Sequence, residues 1–141
     1  MNNIQQIMSK NVVCVSSNQT VQEAAQLMNQ HNIGSIPVVE NGQIKGIVTD
    51  RDITTRTTAQ GMDGNTPVSQ VMSSNIVTGD PNMSLQEAAQ LMSQNQIRRL
   101  PVVENNQLVG MVALGDLATN QQSNESAGDA LTNISENNRT S

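Results

Sequence analysis

What most constrains this chain is an internal repeat. Sliding the 141-residue sequence against itself by 64 positions aligns residues 7–53 with 71–117 without a gap, and about half of the pairs are identical. The string QEAAQLM recurs at 22–28 and 86–92, and PVVEN recurs at 37–41 and 101–105, in that same register. Two such matches at one offset mean duplication, so the chain must fold as two similar halves.

Each copy runs through the same change of periodicity. A short β-branched run opens it, at 12–15 and at 76–78, and is expected to be a strand. A helix follows, because Thr20 with Glu23 and Ser84 with Glu87 have capping-box spacing. Its apolar face is expected at Val21, Ala24, Ala25, Leu27 and Met28, and at Leu85, Ala88, Ala89, Leu91 and Met92 in the second copy. His31, the single histidine, falls at the end of the first of these helices, where a C-terminal capping role is expected. Two strands come next, 36–40 and 43–48, joined by Asn41-Gly42, a pair suited to the positive φ angles of a tight hairpin; the second copy uses Asn105-Asn106. A second, shorter helix is expected near 49–57 and again near 113–119. The unit is β-α-β-β-α, twice.

Residues 58–65, rich in Gly, Thr and Asp, are expected to link the copies, with Thr66-Pro67 opening a short helix that matches a segment at 4–8. The predicted division is a first domain at 1–62, a second at 63–119, and an Asn/Ser/Gln-rich tail at 120–141, mobile with at most one helix around 127–134.

Composition narrows the function. There is no Phe, Tyr or Trp, so the core must be built from aliphatic residues, with eight methionines filling gaps. A net charge of −5 with only seven Lys and Arg gives no broad basic surface, which argues against nucleic acid and anionic membranes as partners. No apolar run approaches the roughly 20 residues of a membrane span, and Met1-Asn2-Asn3 does not open a leader, so a cytoplasmic location is expected. Cys14 is the only cysteine; no intrachain disulfide or multi-cysteine zinc site can form, and its place in the apolar run 12–15 predicts a small buried strand residue. No Ser-His-Asp or Cys-His constellation and no metal-ligand cluster can be assembled, so no catalytic or metal-ligating residue is assigned.

The most informative segment is Gly46-Ile47-Val48-Thr49-Asp50-Arg51-Asp52, in which a strand runs directly into a helix whose first turn carries a hydroxyl and two carboxylates. Free amides at a helix start favour a phosphate. Thr49 can donate to it, and Asp52 has the two acceptor oxygens that suit a ribose diol. The same spacing also suits plain helix capping.

At these residues the sequence resembles the CBS domain family, named after cystathionine β-synthase. The resemblance covers about residues 4–118 and rests on the element order, on IPVVENGQIKGIVTDRD in copy one and on RRLPVVENNQLVGMVALGD in copy two. It implies an α+β fold, α/β-like in its order, with two β-α-β-β-α repeats packed sheet to sheet about a pseudo-two-fold axis. It implies that an adenosine-type nucleotide such as AMP, ADP or ATP binds between the repeats as a regulatory ligand, with no cofactor and no catalysis. In that reading Thr49 contacts phosphate or ribose beside Asp50 and Arg51, and Asp52 holds the diol. Asp116 matches Asp52 in the second copy, although Ala113 and Gly115 replace Thr49 and Arg51 there. Ile36-Pro37 and Leu100-Pro101 line the base pockets, and Val13 and Cys14 read the base with backbone groups. Arg98-Arg99, the only adjacent basic pair, either faces the phosphates or is a solvated pair in a loop. A homodimer acting on a separate protein target is expected; the alternative is a structural or dimerising module with a degenerate site.

Overall fold

Asn41 and Gly42 have φ of 53° and 81°, and Asn105 and Asn106 have φ of 53° and 65°. These left-handed pairs close two tight hairpins, as expected of residues that tolerate positive φ. The computed structural model describes residues 3–119; the expected tail and its helix at 127–134 lie outside them. The element order is α1 (Val21–His31), β1 (Ser35–Glu40), β2 (Gln43–Thr49), α2 (Asp50–Arg56), α3 (Leu85–Asn95), β3 (Arg99–Glu104), β4 (Gln107–Ala113) and α4 (Leu114–Ala118), with 3-10 turns at Ile4–Gln6, Thr58–Gln60 and Val68–Gln70. The fold is α+β.

The long helices start where the hydroxyls stand. Ser84 and Glu87 form a reciprocal box, while Thr20 Oγ1 accepts from Glu23 N and the Glu23 carboxylate accepts from Gln19 Nε2 at 2.9 Å. That contact holds the Glu23 pKa below its usual value. Both helices end on a left-handed residue, Asn32 and Gln96, so His31 only stands exposed in the last turn. Val21, Ala24 and Met28 are buried on α1, and Leu85, Ala88, Ala89 and Met92 on α3; Ala25 is exposed, against expectation.

The chain divides into two units. One is Val13–Ile76 with Asn106–Leu108; the other, among the described residues, joins 3–12 to Val77–Asn105 and 109–119. Sequence order suggests instead that the N-terminal segment belongs with copy one. Its backbone hydrogen bonds run to copy two: Ile4 N donates to Met83 O at 3.0 Å, Ser9 N to Met111 O at 2.8 Å and Met111 N to Ser9 O at 2.9 Å. Ile4, fully buried, packs in the core of copy two with Leu85, Ala88, Met92, Leu100 and Leu117. Val68 and Val71 take the corresponding place in copy one, with Val15, Ile36 and Val48.

Within the first unit β1 pairs antiparallel with β2, Ser35 opposite Thr49 and Pro37 opposite Ile47, with an irregularity between Val38 and Val39. Two single bridges widen this ribbon: Val15 runs parallel to Val38, and Ser73 antiparallel to Ile47. The opening strand expected at 12–15 thus shrinks to one bridge, and its counterpart at 76–78 to the bridge between Gly79 and Val102. Pro67, not Thr66, stands at the cap of the 3-10 turn, while the Thr66 hydroxyl donates back to Asp63 O at 2.8 Å.

Candidate functional site

The strand β2 delivers Thr49 to the N-cap of α2. There Thr49 Oγ1 accepts from Asp52 N at 3.0 Å, and Asp52 Oδ2 accepts from Thr49 N at 3.0 Å. The capping reading of the spacing is thus realised in full. Capping occupies one oxygen of Asp52 and one lone pair of Thr49, which leaves the Thr49 hydroxyl proton and Asp52 Oδ1 for a ligand. Thr49 is half-buried, and the Asp52 side chain is 16% exposed, enough for a ligand to reach it.

Neighbouring segments converge on this helix start. Asp50 N donates to Gly34 O at 2.9 Å, tying α2 to the entry of β1. Ser35 lies opposite Thr49, so Ile36 and Pro37 follow directly beside the site. Val15 N donates to Pro37 O at 3.1 Å and Val39 N to Val15 O at 2.8 Å, which brings Val13 and Cys14, just upstream, alongside the start of β1. Of the residues expected in copy one, Thr49, Asp50, Asp52, Ile36, Pro37, Val13 and Cys14 thus gather at one end of the ribbon. Arg51 is exposed on the outer turn of α2, and its backbone N–H donates to Asp50 Oδ1 at 2.7 Å.

Two expectations change. Cys14 is exposed, not buried, because neighbouring residues in extended chain point to opposite faces and Val15, 2% exposed, takes the inward position. Ile36 and Pro37 are both buried, so their side chains form core beneath the site more than an open wall.

The second copy keeps the frame but not the groups. Ala113 N donates to Asp116 Oδ2 at 3.2 Å, and with no hydroxyl at Ala113 the reciprocal bond is missing. Asp116 is exposed, and Leu114, which stands where copy one has Asp50, turns into the core at 2% exposure. Leu100 and Pro101 are buried, Arg99 is half-buried at the start of β3, and Arg98 is exposed, its carbonyl accepting from Leu114 N at 2.8 Å.

Sequence reasoning missed Arg56. Its Nε lies 3.8 Å from Asp52 Oδ1, and its Nη1 donates to Val71 O at 3.1 Å and reaches Met72 O at 3.5 Å. The spacing of four residues from Asp52 was the signal available.

Among the described residues no three His, Cys, Asp or Glu stand together in a way that could hold a metal, and no helix is long and apolar enough to cross a membrane. Two repeats of this architecture, each with an aspartate in the first turn of its short helix, define a tandem CBS pair, and such pairs are regulatory modules. The CBS domain model matches residues 4–57 and 68–123, and the chain belongs to that family. It is 66% identical over 138 residues to the CBS domain-containing protein YhcV of Bacillus subtilis, covering 98% of this chain and 99% of the relative. It is 37% identical over 120 residues to hypoxic response protein 1 of Mycobacterium tuberculosis, covering 84% of each. Among solved structures, the CBS domain pair of the protein MJ0100, in complex with 5′-methylthioadenosine and S-adenosyl-L-methionine, superposes with a TM-score of 0.73 at 29% identity, over 84% of this chain and 94% of that one.

Proposed function

We propose that the protein is a non-catalytic regulatory module that binds an adenosine-type nucleotide, AMP, ADP, ATP or another adenosyl compound, at the start of α2. The observation that carries this reading is the Thr49–Asp52 box, whose capping bonds use neither Asp52 Oδ1 nor the Thr49 hydroxyl proton. Asp52 accepts from the ribose diol, and Thr49 donates to ribose or phosphate. The backbone of Val13 and Cys14 reads the base edge above the floor made by Ile36 and Pro37. Asp50 and Arg51 supply the charged surroundings. The CBS domain pair of MJ0100, solved in complex with 5′-methylthioadenosine and S-adenosyl-L-methionine, supports the ligand class. The module acts as a cytoplasmic homodimer on a separate protein target.

Copy two favours a second reading. Without a hydroxyl at Ala113, Asp116, Leu100 and Pro101 frame a degenerate site, and a module degenerate in both copies serves structure or dimerisation only. Calorimetric titration of AMP, ADP, ATP, NADH and S-adenosylmethionine separates the two. Binding that falls at least about tenfold in Asp52→Asn and little in Asp116→Asn supports a nucleotide site in copy one. A folded wild type that binds nothing in the panel refutes it.

A further inference from the structure

Arg56 is the side chain outside the expected site that touches it. It extends from the last turn of α2, one turn beyond Asp52, with the acid N-terminal to the base, the favourable order for a helical pair. Alone, a pair at 3.8 Å with an arginine side chain 53% exposed would hold little. The second arm alters this. Nη1 donates to Val71 O at 3.1 Å and lies 3.5 Å from Met72 O, and the Val71 side chain is 1% exposed in the core of copy one. A planar guanidinium anchored at one end to a fixed carbonyl loses much of its rotational freedom, and its other nitrogen is then presented to Asp52 Oδ1 in a defined direction.

Asp52 Oδ2 is already held by Thr49 N. Oδ1 is the oxygen left for a ribose hydroxyl, and it is also the oxygen Arg56 faces. We infer that Arg56 is a positioning residue for ribose recognition: it aims the free oxygen of Asp52 at the diol, and so sets the preference of copy one for ribonucleotides over 2′-deoxyribonucleotides. This rests on the nucleotide reading above. The offset of 64 puts Asn120 at the matching place, so the second copy has no guanidinium there.

The test is titration of AMP and ATP, each beside its 2′-deoxy counterpart, into wild type, Arg56→Gln and Arg56→Lys, after thermal melts show which variants are folded. In wild type the ribonucleotide binds more tightly than its deoxy form. Arg56→Gln weakens the ribonucleotide about three- to tenfold and the deoxy form less than about twofold, so the preference narrows. Arg56→Lys, with the charge but not the fork, falls between and keeps the question open to test should the glutamine variant unfold. Equal weakening of both sugars would show a merely structural role and overturn the inference while leaving the nucleotide reading intact, as would binding unchanged from wild type. A wild type that binds none of the four compounds takes down the nucleotide reading, and the inference with it.

Discussion

Replacing Gly46 by alanine places a methyl group against backbone. A Cβ there would lie 2.7 Å from Ser73 O, 2.8 Å from Met72 Sδ and 3.1 Å from Met72 Cγ. Carbon–oxygen contacts settle at about 3.3 Å or more, so the Ser73 carbonyl must retreat by roughly 0.6 Å. That carbonyl accepts from Ile47 N at 2.9 Å, and Ser73 N donates to Ile47 O at 2.8 Å, so retreat strains the bridge that seats this segment on β2. Overpacking of this kind costs about 1–3 kcal/mol, a weakened hydrogen bond about 1 more, and the stiffer unfolded chain returns about 0.4–1. The net expectation is about 2 kcal/mol, a fall in melting temperature of about 5–10 °C. Gly110 is the control in the other unit. A Cβ there meets Met8 Sδ at 2.5 Å and Met8 Cγ at 2.8 Å, both on a side chain, and the backbone Ser9 O at 3.0 Å, so the carbonyl must retreat by only roughly 0.3 Å. Gly110→Ala should therefore cost less than Gly46→Ala, about 1 kcal/mol. Urea titration of both variants measures the difference. A Gly46→Ala as stable as wild type, or a Gly110→Ala that is the worse of the two, would refute the argument.

Two further outcomes are expected. Ile4→Ala should destabilise by about 2–5 kcal/mol despite its place near the chain start, because the side chain is fully buried in the core of copy two; a melting point unchanged from wild type would show that the segment does not pack there. Glu40 accepts from Ser17 N at 2.8 Å, which together with the Ser17 side chain and, more weakly, Lys45 holds its pKa below the usual glutamate value. A lowered folded-state value stabilises above the unfolded pKa and is lost as pH falls through the folded one. The stability advantage of wild type over Glu40→Gln should thus be present at about pH 6 and shrink toward about pH 3.5; urea midpoints at the two values check it, and an advantage that grows on acidification sinks it.

The parts of the fold that were legible in the sequence are those set by local chemistry. Asn41-Gly42 and Asn105-Asn106 announce hairpins because few other residues tolerate their φ, and Thr20 and Ser84 announce helix starts because a hydroxyl there satisfies a free amide. What stayed hidden depends on distant chain. Nothing local to Ile4 says that Met83 and Leu100 will receive it, and Cys14 in an apolar run carries no mark of facing outward. The Thr49–Asp52 pairing was readable as spacing, but that capping leaves a proton and an oxygen over required the geometry. Arg56 acts through Val71, 15 residues away, and so escaped a reading that stopped at the first turn of α2.

The two copies differ in ways that separate packing from chemistry. In the core the differences compensate. Gly79 stands where copy one has Val15, and a Cβ on it would meet Leu100 Cδ2 at 2.9 Å and Ile4 Cδ1 at 3.2 Å. The space a side chain at Gly79 would need is taken by Ile4 and Leu100, larger or differently branched than their counterparts Val68 and Ile36. At the helix start nothing compensates. Thr49, Asp50 and Arg51 become Ala113, Leu114 and Gly115, the half-box loses about 1 kcal/mol of capping, and the space around Gly115 is open, with no atom within 4 Å of where a Cβ would stand. Copy one thus keeps hydroxyl and carboxylate together at its helix start while copy two keeps only the Asp116 carboxylate, and the nucleotide site proposed for copy one requires that asymmetry: Asp52→Asn should weaken binding where Asp116→Asn should not.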